Sequence, residues 1–127
     1  MATLEQMRAT VDAYVAAYAA NDRSALLALF APDAQWTDPV GSPTHHGVEA
    51  VGEFWDTTRS MADSIVLHPV HVHVCGNEAA LVMEVRTVVG GAGIILDAVD
   101  IFTFDDQARI QTGRAYWELE KARPGPS

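Results

Sequence analysis

The chain has 127 residues, of which 49% are hydrophobic and 20% are charged, a composition typical of one globular domain with a real core. Its formal net charge of −9 argues against nucleic acid and anionic membrane surfaces as partners. The only cysteine, Cys75, excludes an intrachain disulfide bond. A secretory leader pattern and a long apolar segment are both missing from the sequence, so we expect a cytoplasmic protein.

The first half of the chain predicts helices. Apolar side chains recur at spacings of three and four from residue 4 to residue 20, which predicts an amphipathic helix with Asn21 as its stop. Asp22 is suited to cap a second, shorter helix that Pro32 and Asp33 would end. A short extended segment over residues 34–37 then leads into a turn. The predicted helices cover residues 4–20, residues 24–30 and residues 48 to about 59.

Beyond residue 63 the apolar period changes to two, which predicts strands separated by turn-compatible residues. The fold class is therefore α+β, with three N-terminal helices packed on a curved, mostly antiparallel sheet. A curved sheet closed by helices encloses an apolar, cone-shaped pocket of the kind that binds small molecules. Residues 122–127 are expected to form a loose tail. The four predicted strands are Ile65–Val74, Ala79–Val89, Ile94–Phe104 and Ile110–Leu119.

The third predicted strand carries an aspartate on an apolar face. Asp100 shares that face with Leu96, Ala98, Phe102 and Phe104, because alternate residues of a strand point the same way. A carboxylate in such surroundings loses its hydration, which favours the neutral form and raises its pKa. A neutral carboxyl group can donate a hydrogen bond to a developing oxyanion. The alternative is that Asp100 lies at a solvated strand edge or is paired with a cation.

The opposite face of the same strand is also apolar. It carries Ile95, Val99 and Ile101, with Asp97 among them. One face of the sheet can pack on the helices, and the other then needs a cover. A second copy of the chain is the simplest cover, so we expect a homodimer packed through the sheet.

Two further residues are candidates for chemistry. Asp38 precedes Pro39, which favours an extended backbone and aims the carboxylate, although the same residues also suit an ordinary turn. Tyr14 lies on the apolar stripe of the first helix, where its phenol could donate a hydrogen bond or could simply pack in the core. Tyr18, one turn later, is assigned to the core. Together Asp38 as base, with Tyr14 and Asp100 as an oxyanion hole, would suit proton abstraction beside a carbonyl group without a cofactor.

The histidines give little support for a metal site. His71 and His73 share a strand face, but no third ligand accompanies them at a spacing typical of metal sites, so we expect no metal. Trp117 could wall the pocket beside a flat apolar ligand. The other residues that we expect to line the pocket are Phe30, Phe54, Trp55, Val85 and Val99.

Two stretches of the sequence resemble the bacterial ketosteroid isomerases (steroid Δ-isomerases), which belong to the NTF2-like fold group. The first is Asp38–Pro43 leading to His46 and Gly47. The second is Leu96–Ile101, continuing through residues 109–112 to 115–117. The likeness spans nearly the full chain.

The resemblance implies an NTF2-like fold and a known reaction. In that family a carboxylate base moves a proton from C4 to C6 of a 3-oxo-Δ5-steroid, giving the conjugated Δ4 isomer, and a protonated aspartate is the family's own device for oxyanion binding. It places the base at Asp38 and the donors at Tyr14 and Asp100. Phe30 and Trp55 stand where the best-known members carry two supporting tyrosines.

Two alternatives remain open. One is a different NTF2-like enzyme, of the polyketide cyclase or epoxide hydrolase type. The other is a non-catalytic module that holds an apolar ligand. The combination of Asp38, Tyr14 and Asp100 favours the isomerase, because a mere binding pocket gains nothing from burying a carboxyl group.

Overall fold

The computed structural model describes residues 1–127 and contains three α-helices. The first, α1, is Leu4–Ala20, as predicted. It begins with a capping box, in which the Thr3 side chain accepts from the Gln6 backbone and the Gln6 side chain accepts from the Thr3 backbone. It ends at Asn21, whose left-handed backbone closes the last turn. The other two helices are α2, Arg23–Leu27, and α3, Val48–Met61.

The strands form one seven-stranded mixed sheet, which confirms the α+β class. Along the sheet the order is β2-β1-β6-β5-β4-β3, and β7 pairs with β5 outside this path. All neighbours are antiparallel except β1 and β6, which run parallel. A 3₁₀ turn, Leu119–Lys121, precedes the last strand. The strands are β1 Phe30–Thr37, β2 His45–His46, β3 Ser64–Cys75, β4 Glu78–Val89, β5 Ala92–Phe104, β6 Ile110–Tyr116 and β7 Arg123–Gly125.

Two predicted boundaries are wrong. The second helix stops at Leu27, and Phe30 instead begins β1, where it pairs with Ile110 of β6. Pro32, expected just after that helix, lies inside β1; it has no backbone N–H for a helical hydrogen bond, and an extended strand accommodates it. The last long strand ends at Tyr116 rather than at Leu119, whose exposed side chain belongs to the 3₁₀ turn.

The C-terminal tail is not loose, which corrects the prediction for residues 122–127. Strand β6 pairs with β5 only from Val99 onward, so the first half of β5 has an open backbone edge on that side. Strand β7 fills this edge by pairing with Gly93–Ile95. The Arg123 guanidinium then donates to Asp97, and to Glu84 at 2.9 Å, which fixes the tail to the sheet.

The hydrophobic core lies between the helices and the inner face of the sheet. Trp36 stacks on Phe102 with ring centroids 6.0 Å apart, and both are almost fully buried. Gly113 of β6 makes room for this packing, because a Cβ there would collide with the Trp36 ring. These aromatic rings fill one end of the cone formed by sheet and helices. None of the helices is both long and apolar enough to cross a membrane.

Candidate active site

The other end of the cone is a cavity of about 310 Å³, bounded by α1, α3 and the inner face of the sheet. Fifteen residues line it, twelve of them hydrophobic, which is the usual character of a small-molecule site. Six of the predicted site residues line this one cavity. They are Tyr14, Asp38, Phe54, Val85, Asp100 and Trp117.

Three residues expected to line the pocket do not. Val99 lies between two lining residues of β5 and therefore points to the opposite face of the sheet. Phe30 packs edge-on against Trp36, with centroids 6.1 Å apart, in the closed end of the cone. Trp55 is buried behind Tyr18, with ring centroids 4.8 Å apart. These corrections leave Phe30 and Trp55 as core residues.

Tyr14 and Asp100 form a hydrogen-bonded pair in the cavity wall. The Tyr14 hydroxyl donates to Asp100 Oδ2 at 3.2 Å, although the two residues are 86 positions apart in the sequence. Helix α1 supplies the phenol, and the central strand β5 supplies the carboxyl group. Asp100 is 2% exposed and no cation pairs with it, so both alternatives considered for this residue, a solvated edge and an ion pair, are wrong.

Burial favours the protonated form of both members of this pair. It raises the pKa of Asp100 well above the ordinary carboxyl value, and the charge of Asp38 raises it further, while the hydrogen bond from Tyr14 opposes the shift. Burial also raises the pKa of Tyr14 well above its ordinary value. Burial thus favours the protonated form of both groups, and in that form an electron-rich oxygen placed between them would receive two hydrogen bonds.

Asp38 occupies a different environment in the same cavity. It follows directly on β1, and its Oδ1 accepts a hydrogen bond of 2.7 Å from the indole nitrogen of Trp117. Burial raises the pKa of Asp38, and the hydrogen bond from Trp117 opposes that rise by stabilising the charged form. A carboxylate in this environment is suited to act as a general base, because burial increases its basicity and the hydrogen bond from Trp117 fixes its orientation.

Tyr18 is a cavity residue that the sequence analysis assigned to the core. It lines the cavity beside Tyr14, and the two ring centroids are 5.2 Å apart. Helical periodicity correctly puts both tyrosines on one stripe of α1. The same periodicity cannot separate a side chain that faces packed core from one that faces an empty cavity, because both are buried.

The described side chains offer no metal centre. No three His, Cys, Asp or Glu side chains converge closely enough to hold an ion. His71 and His73 stack with centroids 6.0 Å apart on β3, away from the cavity. The polar groups that line the cavity are the hydroxyls of Tyr14, Tyr18 and Thr58 and the carboxyl groups of Asp38 and Asp100, in an otherwise apolar wall.

Replacing Asp100 with Asn should change how stability depends on pH. Because burial raises the pKa of Asp100, the folded state keeps a proton that the unfolded chain releases above the ordinary value of 3.8. The stabilisation from this proton is complete below that value and is lost as the pH rises towards the pKa of the folded state. Asn cannot titrate. The unfolding free energy of Asp100→Asn should therefore increase relative to that of the native chain as the pH rises.

Urea unfolding between about pH 4 and pH 8 measures this difference. The exposed Asp12→Asn on α1 is the matched control and should show no such trend. A difference between Asp100→Asn and the native chain that stays constant over this range would contradict the assignment of a neutral Asp100.

Comparison with known proteins identifies the family. Residues 11–111 match the SnoaL-like domain family. A relative named steroid Delta-isomerase, from Nocardioides simplex, is 32% identical over 112 residues, which cover 88% of this chain and 89% of the relative. The cone of helices on a curved, unclosed mixed sheet is the NTF2-like fold. The chain belongs to the SnoaL-like family of NTF2-like proteins.

Solved structures agree on the fold. The epoxide hydrolase/cyclase-like enzyme SalBIII, which acts in pyran ring formation in the polyether salinomycin, superposes with a TM-score of 0.87 at 20% identity, covering 95% of this chain and 97% of that chain. A Mycobacterium tuberculosis protein superposes with a TM-score of 0.86 at 23% identity, covering 98% and 100%. At these identities the likeness concerns the fold alone.

Proposed function

We propose that this protein is a steroid Δ5-3-ketosteroid isomerase that converts 3-oxo-Δ5-steroids into their conjugated Δ4 isomers without a cofactor. The observation that carries the proposal is the contrast between two carboxyl groups in one apolar cavity. Asp100 is buried against a phenol, whereas Asp38 accepts from an indole N–H. The relative from Nocardioides simplex, named steroid Delta-isomerase, supports the same reaction.

In this reaction the Asp38 carboxylate removes a proton from C4, between the carbonyl group and the C5–C6 double bond. The electrons of the broken C–H bond move into a dienolate, and negative charge develops on the C3 oxygen. Tyr14 and Asp100 donate hydrogen bonds to that oxygen, where they are worth more than in water because the cavity is apolar. Asp38 then returns its proton to C6, the C3 carbonyl re-forms, and the carboxylate is regenerated.

A second enzyme class uses the same kinds of group. Opening an epoxide needs an acid to donate to the epoxide oxygen and a base to activate the nucleophile, and Asp100 and Asp38 could divide these roles. The fold that this chain shares with SalBIII makes this the alternative within enzymes. A non-catalytic module is the weaker alternative, since holding an apolar ligand does not require the buried carboxyl group of Asp100.

An ultraviolet assay with 5-androstene-3,17-dione tests the proposal. We expect the absorbance of the conjugated enone to grow rapidly, and the Asp38→Asn variant to abolish this growth. If folded protein gives no enone, the isomerase proposal is wrong, and equilenin binding then separates the alternatives. Tight binding without turnover would indicate a steroid-binding module, and no binding would direct the search to other cyclic substrates, including epoxides.

We also propose that two copies of the chain pack through the outer face of the sheet. Val82 of β4 pairs with Val99 of β5, and Ile101 lies one step along the same face, so that apolar side chains form its centre. Charged pairs such as Arg86 with Glu84 lie beside them. An apolar centre with a polar border is the usual anatomy of a protein interface.

Light scattering coupled to size exclusion at micromolar concentration should therefore give twice the chain mass. The Val99→Glu variant should shift the protein to the monomer, because it buries an unpaired charge at the centre of the interface. Val99 lies outside the cavity, so its replacement tests the interface without altering the lining. A native species of 13.7 kDa would contradict the dimer.

A further inference from the structure

His45 lies on the same face of the sheet as the candidate base. In the antiparallel pair of β1 and β2, His45 is directly opposite Trp36, so the two side chains point the same way. Asp38 follows Trp36 by two residues and therefore continues that face. His45 and Asp38 are thus diagonal neighbours across the two chain segments, a relation that places residues roughly 7–8 Å apart in antiparallel sheets.

The register of this pair continues to the turn that joins its two segments. Thr37 and Thr44, one step closer to the turn, face each other, and their hydroxyl oxygens are 2.7 Å apart. His46, one step in the other direction, is exposed and points to the opposite face. Of the two adjacent histidines, only His45 therefore shares the face of Asp38.

The ring of His45 is fixed behind the cavity wall. It packs against Phe54 of α3, with ring centroids 4.9 Å apart. Phe54 and Asp38 both line the cavity, whereas His45 does not. The half-buried imidazole therefore lies beside the base without reaching the space that a substrate would occupy.

Asp38 is the main charged neighbour of the His45 imidazole. No ion pair involves His45. All the carboxylates of β1 and α3 are exposed to water, which screens their charges, and the one cation of α3 donates to a backbone carbonyl of α1. Asp38 differs from them, because it borders an apolar cavity. The other titratable residues of the elements around His45 are His46 on β2, Asp33 on β1, and Glu49, Glu53, Asp56 and Arg59 on α3.

The sign of the interaction between His45 and Asp38 follows from their charges. Burial raises the pKa of Asp38, and a positive charge on His45 opposes that rise by stabilising the carboxylate. Histidine is the side chain that ordinarily changes its charge between about pH 5 and about pH 8. A neutral imidazole therefore leaves Asp38 the stronger base, while a cationic one keeps Asp38 ionised to lower pH at the expense of its basicity.

We propose that His45 is a positioning residue of the candidate site, whose imidazole adjusts the basicity of Asp38 through its own charge and so widens the pH range over which the base works. The proposal rests on the role of Asp38 in the function proposed above. At high pH the neutral imidazole leaves the base at full strength, and at low pH the cation keeps part of the carboxylate ionised. His45 acts through Asp38 and needs no contact with the substrate.

Two substitutions fix this position in one charge state. His45→Gln is polar without charge, and His45→Arg is charged at every pH. In kcat/KM for 5-androstene-3,17-dione, His45→Gln should match the native chain at about pH 8 and fall about 3-fold below it on the acid limb of the profile. His45→Arg should match the native chain on the acid limb and fall about 3-fold below it at about pH 8.

His46→Gln is the matched control. It makes the same replacement at the adjacent, exposed position on the opposite face, and it should leave the whole pH profile unchanged. Lost packing would lower the activity of each His45 variant by the same factor at every pH. Such uniform losses would contradict the proposal.

A second readout does not depend on steroid turnover. The carboxyl carbon of Asp38, labelled with ¹³C and assigned by its loss in Asp38→Asn, reports the ionisation of this group by NMR. Its titration should move to higher pH in His45→Gln and stay at the native position in His45→Arg and His46→Gln. The same pattern in a protein that gives no enone would support the role of His45 and contradict only the proposed reaction.

Two results would overturn the role of His45. One is an Asp38 titration that is the same in His45→Gln and in the native chain. The other is an equal movement in His46→Gln, which would indicate a general effect of surface charge. Thermal unfolding shows whether each variant keeps the fold. If His45→Gln does not fold, His45→Arg decides, because a native kcat/KM at about pH 8 would equally contradict the proposal.

Discussion

Replacing Asp38 with Asn should reduce the turnover of 5-androstene-3,17-dione by about 10²- to 10⁴-fold or more, the largest loss expected from any single substitution. The amide cannot accept a proton from C4, although its oxygen can still accept the hydrogen bond that Trp117 donates to Asp38. The geometry of the cavity should therefore survive while the proton carrier is lost. Initial rates measured by enone absorbance give kcat, and the KM of the variant should change little.

The matched control for this substitution is Asp12→Asn, which removes the charge of an exposed carboxylate on α1. It should show native rates, because it alters the net charge by the same amount without entering the cavity. If Asp38→Asn kept more than a tenth of the native kcat in folded protein, Asp38 would not be the sole base, and the proposed mechanism would be wrong.

Replacing Asp100 with Leu should lower kcat by about 10²- to 10³-fold, the usual loss for one donor of an oxyanion hole. The leucine side chain suits the apolar surroundings of this β5 position, where Leu81 and Ala115 are the paired residues on the neighbouring strands. Folding should therefore be preserved, because the gain from no longer burying a carboxyl group offsets the loss of the hydrogen-bond partner of Tyr14. Binding of equilenin should weaken in parallel with kcat if the donor acts on the developing oxyanion.

Asp100→Asn separates hydrogen bonding from acidity at the same position. The amide keeps an N–H donor, and its oxygen can still accept from Tyr14, so this variant should lose less activity than Asp100→Leu. Equal losses in the two variants would indicate that the proton of Asp100, rather than its position as a donor, is what matters. Native activity in Asp100→Leu would contradict the assignment of this residue to the oxyanion hole.

The sequence predicted the long elements well where one periodicity dominates. Helix α1 was placed at its observed bounds, and strand β5 was placed within two residues of its observed start. The failures lie where two patterns compete. The apolar side chain of Phe30 fits the spacing of the second helix, and it fits the start of a strand equally well. Only the pairing of Phe30 with Ile110 of β6 decides in favour of the strand.

Part of the candidate site was also open to prediction. The face of β5 that carries Asp100 follows from alternation alone, and the same alternation places Val99 on the opposite face, outside the cavity. The place of Tyr18 in the cavity wall had no such signal in the sequence, because a buried stripe of α1 looks the same over packed core and over a cavity. The β7 strand was hidden for another reason, since three residues with a proline and a glycine show no periodicity.

The sequence by itself determined the local properties of each group: an aspartate on an apolar strand face, a phenol on a helical stripe, and a carboxylate held before a proline. Only the tertiary structure decided that these groups meet. Tyr14 and Asp100 are 86 residues apart, and Asp38 and Trp117 are 79 residues apart. The parallel pairing of β1 with β6 brings the end of β1 beside the end of β6, and the antiparallel pairing of β6 with β5 brings both towards Asp100. Strand pairing is a cooperative choice of the whole sheet, and so no local pattern in the chain specifies it.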